Sequence, residues 1–226
     1  MHLKNSYRFI IQKFDIGVDL FREYGWMKFS GQIIPWLFCR RYIFLGGPTN
    51  HSISFLQAEI PFRLELANQR DLKYLIKLRP HFYKLRQIQE RIKQGHLCFL
   101  GWSGNDPIHI RWAFVGSCFI PYLHRTIRLT PGEVYTDEAY TARDFRHKGV
   151  YSYAGCLLRK FLEDMGYRRI VLALPTWSRF LMNTSANFRM EKIGEGGYWN
   201  LFGYKNFFWR GMAWKQNNDK IFVSQK

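Results

Sequence analysis

The sequence predicts an α+β protein, with helices layered on both faces of a mixed, mostly antiparallel sheet. Three observations lead to this prediction. Short or alternating apolar segments between residues 96 and 141 indicate successive antiparallel strands. From residue 133 onwards the pattern becomes strand, helix, strand, helix, strand. Apolar residues make up 47% of the chain and aromatic residues 18%, a composition that excludes a mainly disordered protein.

The first part of the chain is predicted to be helical. Residues 1–50 form an N-terminal helical extension that ends at the turn Gly-Gly-Pro-Thr-Asn, and residues 51–226 form the main domain. Residues 52–66 can supply a strand. Residues 68–93 have apolar side chains at helical spacing, and Pro80 divides them into two helices, of which the second covers 82–93.

The rest of the chain supplies most of the predicted sheet. Its strands are expected at residues 96–100, 108–118, 133–141, 169–174 and 198–210. Its helices are expected at residues 150–165 and 178–193, each followed at once by a glycine. The helix at 150–165 has the clearest pattern in the chain.

The charge of the chain predicts an anionic partner. Lys and Arg number 34 and Asp and Glu number 17, so the net charge is +17. Residues 70–93 hold eight basic and two acidic side chains. This is either a solvated basic face or a docking surface for an acidic acceptor. Residues 21–45 mix aromatic and basic side chains, which suits packing on the core, a membrane interface or a contact with a partner.

Several classes of protein are disfavoured by what the sequence lacks. No run reaches the 18 or so apolar residues that a membrane-spanning helix needs, and the first fifteen residues do not have the apolar block of a signal peptide. The four cysteines form no CxxC pair and the histidines no HxxxH pair, so no metal site is predicted. We expect reduced cysteines and a cytoplasmic location, or a peripheral one at the inner membrane face.

The stretch with the strongest chemical signal is residues 133–174. It is nearly neutral in a basic protein because six acidic residues gather there. Its strand leads into a loop with Arg146, His147, Lys148 and Gly149, which opens directly into a helix. Free N–H groups and the positive end of a helix dipole favour a phosphate at such a position. The alternative is an ordinary helix start with solvated charges.

The same stretch resembles the GNAT superfamily of N-acyltransferases. The pyrophosphate motif of that superfamily, [Q/R]-x-x-G-x-[G/A], corresponds to Arg-His-Lys-Gly-Val-Tyr at residues 146–151. The lead-in Thr-Ala-Arg-Asp-Phe-Arg at 141–146 also fits. Downstream, residues 183–194 resemble the segment around the fourth helix of the family, with Asn183 and Gly194 in register. The resemblance covers about residues 95–200 and implies a sheet with a V-shaped splay between two parallel strands.

The resemblance also implies a co-substrate and its contacts. Acetyl-CoA or another acyl-CoA would lie in the splay, with no metal. Its pyrophosphate would bind the main-chain N–H groups of Arg146, His147, Lys148, Gly149, Val150, Tyr151 and Ser152. The pantetheine arm would pair with main chain near Ala139 and Thr141, and Asn183 would contribute on the distal side.

Transfer to an amine implies a base, because an ammonium group is almost fully protonated at pH 7. Glu133, Asp137 and Glu138, on the strand before the loop, are the candidates. Regular strand alternation predicts that Asp137 and Glu138 point to opposite faces, so only one of them can reach the cleft.

Two residues depart from the family pattern. Tyr151 stands where glycine or alanine is usual, and Met190 stands where many members have a tyrosine that protonates the leaving thiolate. Either another tyrosine serves, or water does, or the protein does not catalyse. The tyrosines that could serve are Tyr140, Tyr151, Tyr153 and Tyr198.

Three functions follow as alternatives. The first is an N-acyltransferase that transfers an acyl group to a primary amine. A weak similarity to acyltransferases of surface-polysaccharide or glycoconjugate assembly implies an amino sugar as acceptor, ahead of a protein or small-molecule amine. The second is a basic module that binds an anionic surface or nucleic acid, although no nucleic-acid motif is present. The third is a degenerate GNAT fold that binds acyl-CoA without turnover.

Overall fold

A computed structural model describes residues 39–50, 57–80, 82–201 and 204–211. Eight of its strands form one sheet: β1 (Cys39–Pro48), β2 (Arg63–Leu66), β3 (Leu97–Ser103), β4 (Asp106–Val115), β7 (Glu133–Thr141), β8 (Arg169–Pro175), β9 (Glu191–Leu201) and β10 (Tyr204–Arg210). A separate hairpin consists of β5 (Ser117–Ile120) and β6 (Arg125–Arg128). The helices are α1 (Leu72–Leu78), α2 (Leu85–Lys93), α3 (Val150–Asp164) and α4 (Arg179–Ala186).

The large sheet is mixed, as the sequence predicts. Its strand order is β10-β9-β1-β8-β7-β4-β3-β2. Every neighbouring pair is antiparallel except β7 and β8, which run parallel and are connected through α3. The α+β fold class is therefore confirmed.

The two parallel strands separate towards their carboxyl ends. Their ladder joins only the first three residues of each, Glu133–Tyr135 of β7 with residues 169–171 of β8. Beyond that point β7 remains paired with β4 as far as Thr141, and β8 remains paired with β1 as far as Pro175. Since each strand keeps its outer neighbour and loses its inner one, the sheet opens as a V between β7 and β8.

Helices cover both faces of the sheet. On one face, Leu75 of α1 and Ile88 of α2 pack in the same apolar cluster as Trp112 and Tyr135 of the sheet. On the other face, α3 contributes Ala154, Leu158 and Leu162 to a second cluster with Phe99, Ala113 and Val134. We call these the α1–α2 face and the α3 face. Residues 112 and 113 of β4 thus point to opposite faces, as successive residues of a strand must.

The prediction of a helical extension is wrong for residues 39–48, which form β1 between β8 and β9. The run Tyr42–Leu45 is short and apolar, and such a run does not distinguish a buried strand from a helix by periodicity. Gly46 and Gly47 continue this strand instead of forming the predicted turn. A Cβ at these two positions would lie 2.7 Å from Arg169 and 2.6 Å from Met190. The predicted boundary at residue 50 therefore leaves a strand of the sheet on the wrong side, and residues 1–38 lie outside the described residues.

The remaining elements differ from the prediction in five places. The strand predicted at 198–210 is two antiparallel strands, the end of β9 and β10. The strand predicted at 108–118 ends at Val115, and Ser117 and Cys118 belong to the separate hairpin of β5 and β6. The second helix begins at Leu85 and not at residue 82. The helix predicted at 178–193 ends at Ala186, because Glu191 already pairs with Gly46 at the start of β9. The strand predicted at 52–66 is shorter: β2 covers only Arg63–Leu66, and residues 51–56 are not described. Strand β7 matches its predicted bounds, and α3 differs from them by one residue.

Candidate functional site

The loop between β7 and α3 carries the predicted phosphate motif. A turn at Arg143–Phe145 leads to two residues in the left-handed region, His147 with φ 61° and Gly149 with φ 72°. Helix α3 begins directly afterwards at Val150. The loop thus turns the chain from the open end of the splay straight into the start of a helix.

Three main-chain N–H groups at the start of α3 have no acceptor within their own helix. The first helical N–H with an acceptor in its own helix turn is that of Tyr153, which donates to the Gly149 carbonyl at 3.0 Å. Helix geometry gives no such acceptor to Val150, Tyr151 and Ser152, and Gly149 has no side chain to cap them. Such unpaired N–H groups, together with the helix dipole, form an anion site.

The basic side chains of the loop are arranged unevenly. Arg146 folds back, and its Nε donates to the Thr141 carbonyl at 3.1 Å. Lys148 is half-buried, with its Nζ 5.4 Å from the centre of the Phe145 ring. His147 is exposed. Arg146 therefore stabilises the observed conformation of the loop, while Lys148 and His147 add positive charge to it.

The close approach of another backbone segment requires a glycine at position 149. A Cβ at this position would lie 2.8 Å from the Gln57 carbonyl oxygen, and the Lys148 carbonyl accepts a bond from the Glu59 N–H at 3.0 Å. The segment that begins at Gln57 thus packs on the loop from outside. The glycine allows this approach as well as the left-handed φ.

We expect Gly149→Ala to destabilise the protein by about 2–4 kcal/mol, because it combines backbone strain with a clash. Gly166→Ala is the matched control, since Gly166 also has a left-handed φ, 85°, but nothing within 4 Å of its Cβ position. That control should lose only about 1 kcal/mol. Urea denaturation of both variants measures the difference, and equal losses would contradict the packing of Gln57 on the loop.

Strand β7 contains a bulge next to the open end of the splay. Ile110 of β4 pairs with Tyr140 and Trp112 pairs with Asp137, so Glu138 and Ala139 together lie opposite Arg111. Glu138 has a left-handed φ of 54°. A bulge of this kind adds one residue to a strand and reverses the alternation of side chains beyond it.

Because of the bulge, Asp137 and Glu138 point to the same face. Asp137 bonds to Tyr135, and Glu138 bonds to Tyr83 and to Arg91 of α2, all on the α1–α2 face. The prediction that the two carboxylates point to opposite faces is therefore wrong. It assumed an unbroken alternation through Glu138. Tyr140 also lies on the α1–α2 face, where the Arg79 guanidinium is 4.8 Å from its ring centre.

Asp137 lies in a network of hydroxyl groups. Its Oδ2 accepts bonds from the phenols of Tyr135 at 3.0 Å and Tyr122 at 3.1 Å, and its Oδ1 accepts the Glu138 N–H at 2.7 Å. Burial, followed by the nearby charge of Glu138, raises the pKa of Asp137 to about 6, although the hydrogen bonds it accepts oppose this rise. A carboxylate with this pKa is ionised at pH 7.5 and is a stronger base than an ordinary aspartate.

Glu138 is committed to an ion pair. Its two carboxylate oxygens accept bonds from both Nη atoms of Arg91 at 2.7 and 2.8 Å, and the Tyr83 phenol donates to it at 3.1 Å. Tyr83 in turn accepts a bond from the Trp112 indole at 3.1 Å. This arrangement fixes α2 to the bulge and leaves Glu138 less suited than Asp137 to take a proton from a substrate.

Glu133 lies at the closed end of the splay. Its carboxylate pairs with Arg169 at 2.9 Å and accepts the Thr130 N–H at 3.1 Å. Five residues of strand separate it from Glu138, roughly 16 Å. Its contacts are those of a residue that anchors the start of β7, so we do not include it among the groups around the site.

Comparisons with known proteins address the fold. No protein-family model matches the sequence, and no curated protein matches it. Among solved structures, a GCN5-related N-acetyltransferase from Sphaerobacter thermophilus superposes with a TM-score of 0.50 and 10% identity, over 74% of this chain and 54% of that one. The chain has the GNAT fold. The identity is too low for that structure to show more than the fold.

Other solved structures are similar to a lesser degree. An N-acetyltransferase from Staphylococcus aureus matches with a TM-score of 0.48 and 12% identity, over 66% of this chain and 95% of that one. A protein of unknown function from Staphylococcus epidermidis matches with a TM-score of 0.48 and 10% identity, over 74% of this chain and 64% of that one. This chain therefore spans less than two thirds of the length of two of the three proteins compared.

Within this GNAT fold, the predicted pantetheine contacts lie at the open end of the splay. Ala139 is in the bulge and Thr141 ends β7. The Thr141 hydroxyl is 2.9 Å from Nδ1 of His109, on the α3 face. Burial, followed by the charge of Arg111, lowers the pKa of His109 to about 3, so this histidine is neutral. Asn183 is exposed on α4.

Tyr151 spans the space between α3 and α4. Its ring centre is 5.6 Å from that of Phe180 on α4 and 6.4 Å from that of His109. The Arg111 guanidinium lies 5.1 Å from the same ring. The side chain thus turns inward beside the loop, and this leaves its N–H at the start of α3 available.

Met190 and the other tyrosines are spread over the fold. Met190 lies towards the closed end, where the Arg159 Nη2 donates to its sulfur at 2.8 Å and Gly47 approaches it. Tyr153 packs on Phe62, and Tyr198 packs on Phe207 of β10. Of the predicted substitutes, Tyr140 is the one on the same face of the same strand as Asp137.

A buried pair of arginines lies where α3 meets the sheet, with Arg159 on α3 and Arg111 on β4. Arg111 and Arg159 are 8% and 5% exposed, and the Nε of Arg111 has no hydrogen-bond partner. Burial, followed by the charge of Arg111, lowers the pKa of Arg159 to about 10. No ion-pair partner from the described residues accompanies either guanidinium. Sequence reasoning did not find this pair, because its residues lie 48 positions apart with no shared motif.

Sequence reasoning also missed the partners of the carboxylates. Tyr83 and Arg91 lie 55 and 47 positions from Glu138 in the chain, and Tyr122 lies 15 positions before Asp137 with no motif that marks it. Tyr135 could have been found, as the same-face neighbour of Asp137. In the described part of the chain no group of three His, Cys, Asp or Glu side chains is placed to bind a metal ion. None of the described helices is long and apolar enough to cross a membrane.

Proposed function

We propose that the protein is an acyl-CoA-dependent N-acyltransferase that transfers an acetyl or other acyl group to a primary amine. The observation that carries the proposal is the V between β7 and β8, with the anion-binding start of α3 at its open end and the Asp137 network on one of its strands. The GNAT fold supports it. An amino sugar or glycoconjugate precursor is our first choice of acceptor.

The open V offers groups for acyl-CoA along its length. Residues 136–141 of β7 and 172–175 of β8 do not pair with each other, so main-chain N–H and C=O groups on their inner edges need other partners. The two amides of pantetheine are suitable partners near Ala139 and Thr141. The pyrophosphate would then meet the N–H groups of residues 147–152.

Asp137 is our assignment for the base. It takes a proton from the acceptor ammonium, and the neutral nitrogen attacks the thioester carbonyl. The C–N bond forms, the C–S bond breaks and the CoA thiolate leaves. The proton that Asp137 gains returns to solvent, and the second proton that the nitrogen loses as the amide forms balances the proton that the thiolate takes up. Tyr122 and Tyr135 hold the carboxylate in position, since both phenols donate to the same oxygen.

The thiolate needs a proton, and we assign its donor as Tyr140. This phenol lies one residue before the end of β7, between Arg79 and Arg146. We expect Tyr140→Phe to lower kcat by about 10- to 100-fold with little change in KM for acetyl-CoA. Tyr153→Phe is the control and should retain full activity. An unchanged kcat in Tyr140→Phe would assign this protonation to water.

The proposal is tested by acetyl transfer itself. Purified protein is incubated with acetyl-CoA and single amines such as glucosamine or a lysine-containing peptide, and released thiol and acetylated product are both measured. Product that depends on both substrates supports the proposal. Binding of acetyl-CoA with no product from any amine would favour the second candidate, an acyl-CoA-binding protein without turnover. The observation in favour of that candidate is the position of Met190, at the closed end and bonded to Arg159.

A further inference from the structure

Arg79 on the α1–α2 face is a cation held against two aromatic rings. Arg79 ends α1 and is half-buried, with its guanidinium 3.8 Å from the ring centre of Phe82 and 4.8 Å from that of Tyr140. Among the described residues no acid pairs with it. Stacking on two rings holds a guanidinium in place but leaves the N–H donors at its edge free for an anion.

The neighbouring acid cannot serve as this partner. Glu138 lies on the same face, but both of its oxygens are bonded to Arg91 and one of them also to Tyr83. Arg91 and Arg79 lie on the same face of the sheet, but only Arg91 is bonded to Glu138. Arg91 holds α2 against β7 through Glu138, whereas the guanidinium of Arg79 remains available to a ligand.

Arg79 lies within reach of an acceptor whose amine is at Asp137. Its partner Tyr140 follows Asp137 by three residues on β7, and the bulge brings both side chains to the α1–α2 face. This separation corresponds to roughly 7–10 Å along the strand. A molecule with its amine at Asp137 would place an atom at that distance close to Arg79.

We propose that Arg79 binds an oxyanion, a carboxylate or a phosphate, that the acceptor carries roughly 7–10 Å from its amino group. The inference rests on the proposed function and adds the chemical class of its acceptor. The α-amino group of an amino acid lies too close to its own carboxylate for the two to reach both residues. An amino sugar phosphate and an ω-amino acid with a chain of about five carbons both have the required length.

Two matched pairs of acceptors test the inference. Glucosamine 6-phosphate is compared with glucosamine, and 6-aminohexanoate with 6-aminohexanol, in wild type, Arg79→Gln and Lys77→Gln. Lys77 is an exposed cation on the same helix and controls for loss of charge. We expect wild type and Lys77→Gln to prefer the anionic member of at least one pair by roughly 10- to 100-fold in kcat/KM. Arg79→Gln should lose this preference without a change in KM for acetyl-CoA.

The pair that shows the preference identifies the oxyanion as phosphate or carboxylate. Equal rates for both members of both pairs would overturn the inference, and so would a preference that survives in Arg79→Gln. A rise in KM for acetyl-CoA alone would instead assign Arg79 to the co-substrate.

A binding measurement separates this inference from the proposed function. Glucosamine 6-phosphate and 6-aminohexanoate are titrated calorimetrically into protein saturated with CoA. Binding to wild type and not to Arg79→Gln supports the anion site even if no amine is acetylated, in which case the proposed function alone fails. No binding of either compound to wild type overturns the anion site.

Discussion

Asp137→Asn is expected to lower kcat/KM by roughly 10²- to 10⁴-fold, the range that a general base contributes. Asparagine has nearly the same shape but cannot accept the proton of the ammonium group. The affinity for acetyl-CoA should stay within about twofold, because the side chain of Asp137 lies on the α1–α2 face and the N–H groups proposed to bind the pyrophosphate begin α3. Steady-state kinetics and acetyl-CoA titration measure the two effects separately.

The same variant is expected to be more stable than wild type at pH 7.5. Burial raises the pKa of Asp137 to about 6, well above its value in an unfolded chain. The native state therefore holds this proton more tightly, and stability present below about pH 4 is lost as the pH rises to about 6. Removing the charge should recover up to about 3 kcal/mol at pH 7.5, and the gain should vanish near pH 4. Urea denaturation of both proteins across this range gives the difference.

Activity and stability together identify the base. Glu133→Gln is the control, because its carboxylate lies at the closed end of the splay and should contribute little to transfer. Wild-type kcat/KM should fall as the pH drops through about 6. Full activity in Asp137→Asn, or a large loss in Glu133→Gln with an unchanged fold, would contradict the assignment of Asp137.

Replacing two arginines by methionine should change the stability of the protein in opposite directions. Arg91→Met is expected to destabilise the protein by about 3–5 kcal/mol, because Glu138 is only 14% exposed and would be left without its cation. Arg111→Met is expected to stabilise it by at least about 1 kcal/mol. Arg111 is buried beside Arg159 with no acid among the described residues as its partner, so methionine removes this buried charge and keeps most of the apolar stem.

Chemical denaturation of the two variants under identical conditions tests this contrast. The substitution is the same in both, so differences in side-chain volume and hydrophobicity cancel. Destabilisation of similar size in both variants would contradict the distinction between a paired and an unpaired guanidinium. We would then assign Arg111 a structural anion partner outside the described residues.

The segment from β7 to β8 could be predicted from sequence because its signals are local. The turn before Glu133, the glycine before Val150 and the glycine after α3 mark the element boundaries within one or two residues. The loop motif could also be predicted locally, because the N–H groups that it supplies belong to the first residues of the helix that follows it in the chain. The position of the proposed anion site could be predicted for this reason.

The chemistry on the α1–α2 face could not be predicted in the same way. The bulge places a glutamate, Glu138, in the left-handed region, and no glycine or asparagine marks the position. Strand β1 was missed because its partners, β8 and β9, follow it by more than 120 residues. Tyr122, Arg91 and Arg79 likewise reach β7 only through tertiary packing.

The most direct test of the account is a thermal melt with acetyl-CoA and with 3′-phosphoadenosine 5′-diphosphate, which carries phosphates but no pantetheine. At 100 times its Kd a ligand stabilises by about 2.7 kcal/mol, a rise in Tm of roughly 5–10 °C for a domain of this size. We predict that rise with acetyl-CoA and a smaller one with the nucleotide, because the unpaired edges of β7 and β8 bind the pantetheine arm. Equal shifts with both compounds and with inorganic polyphosphate, or no shift at saturation, would contradict an acyl-CoA site in the V.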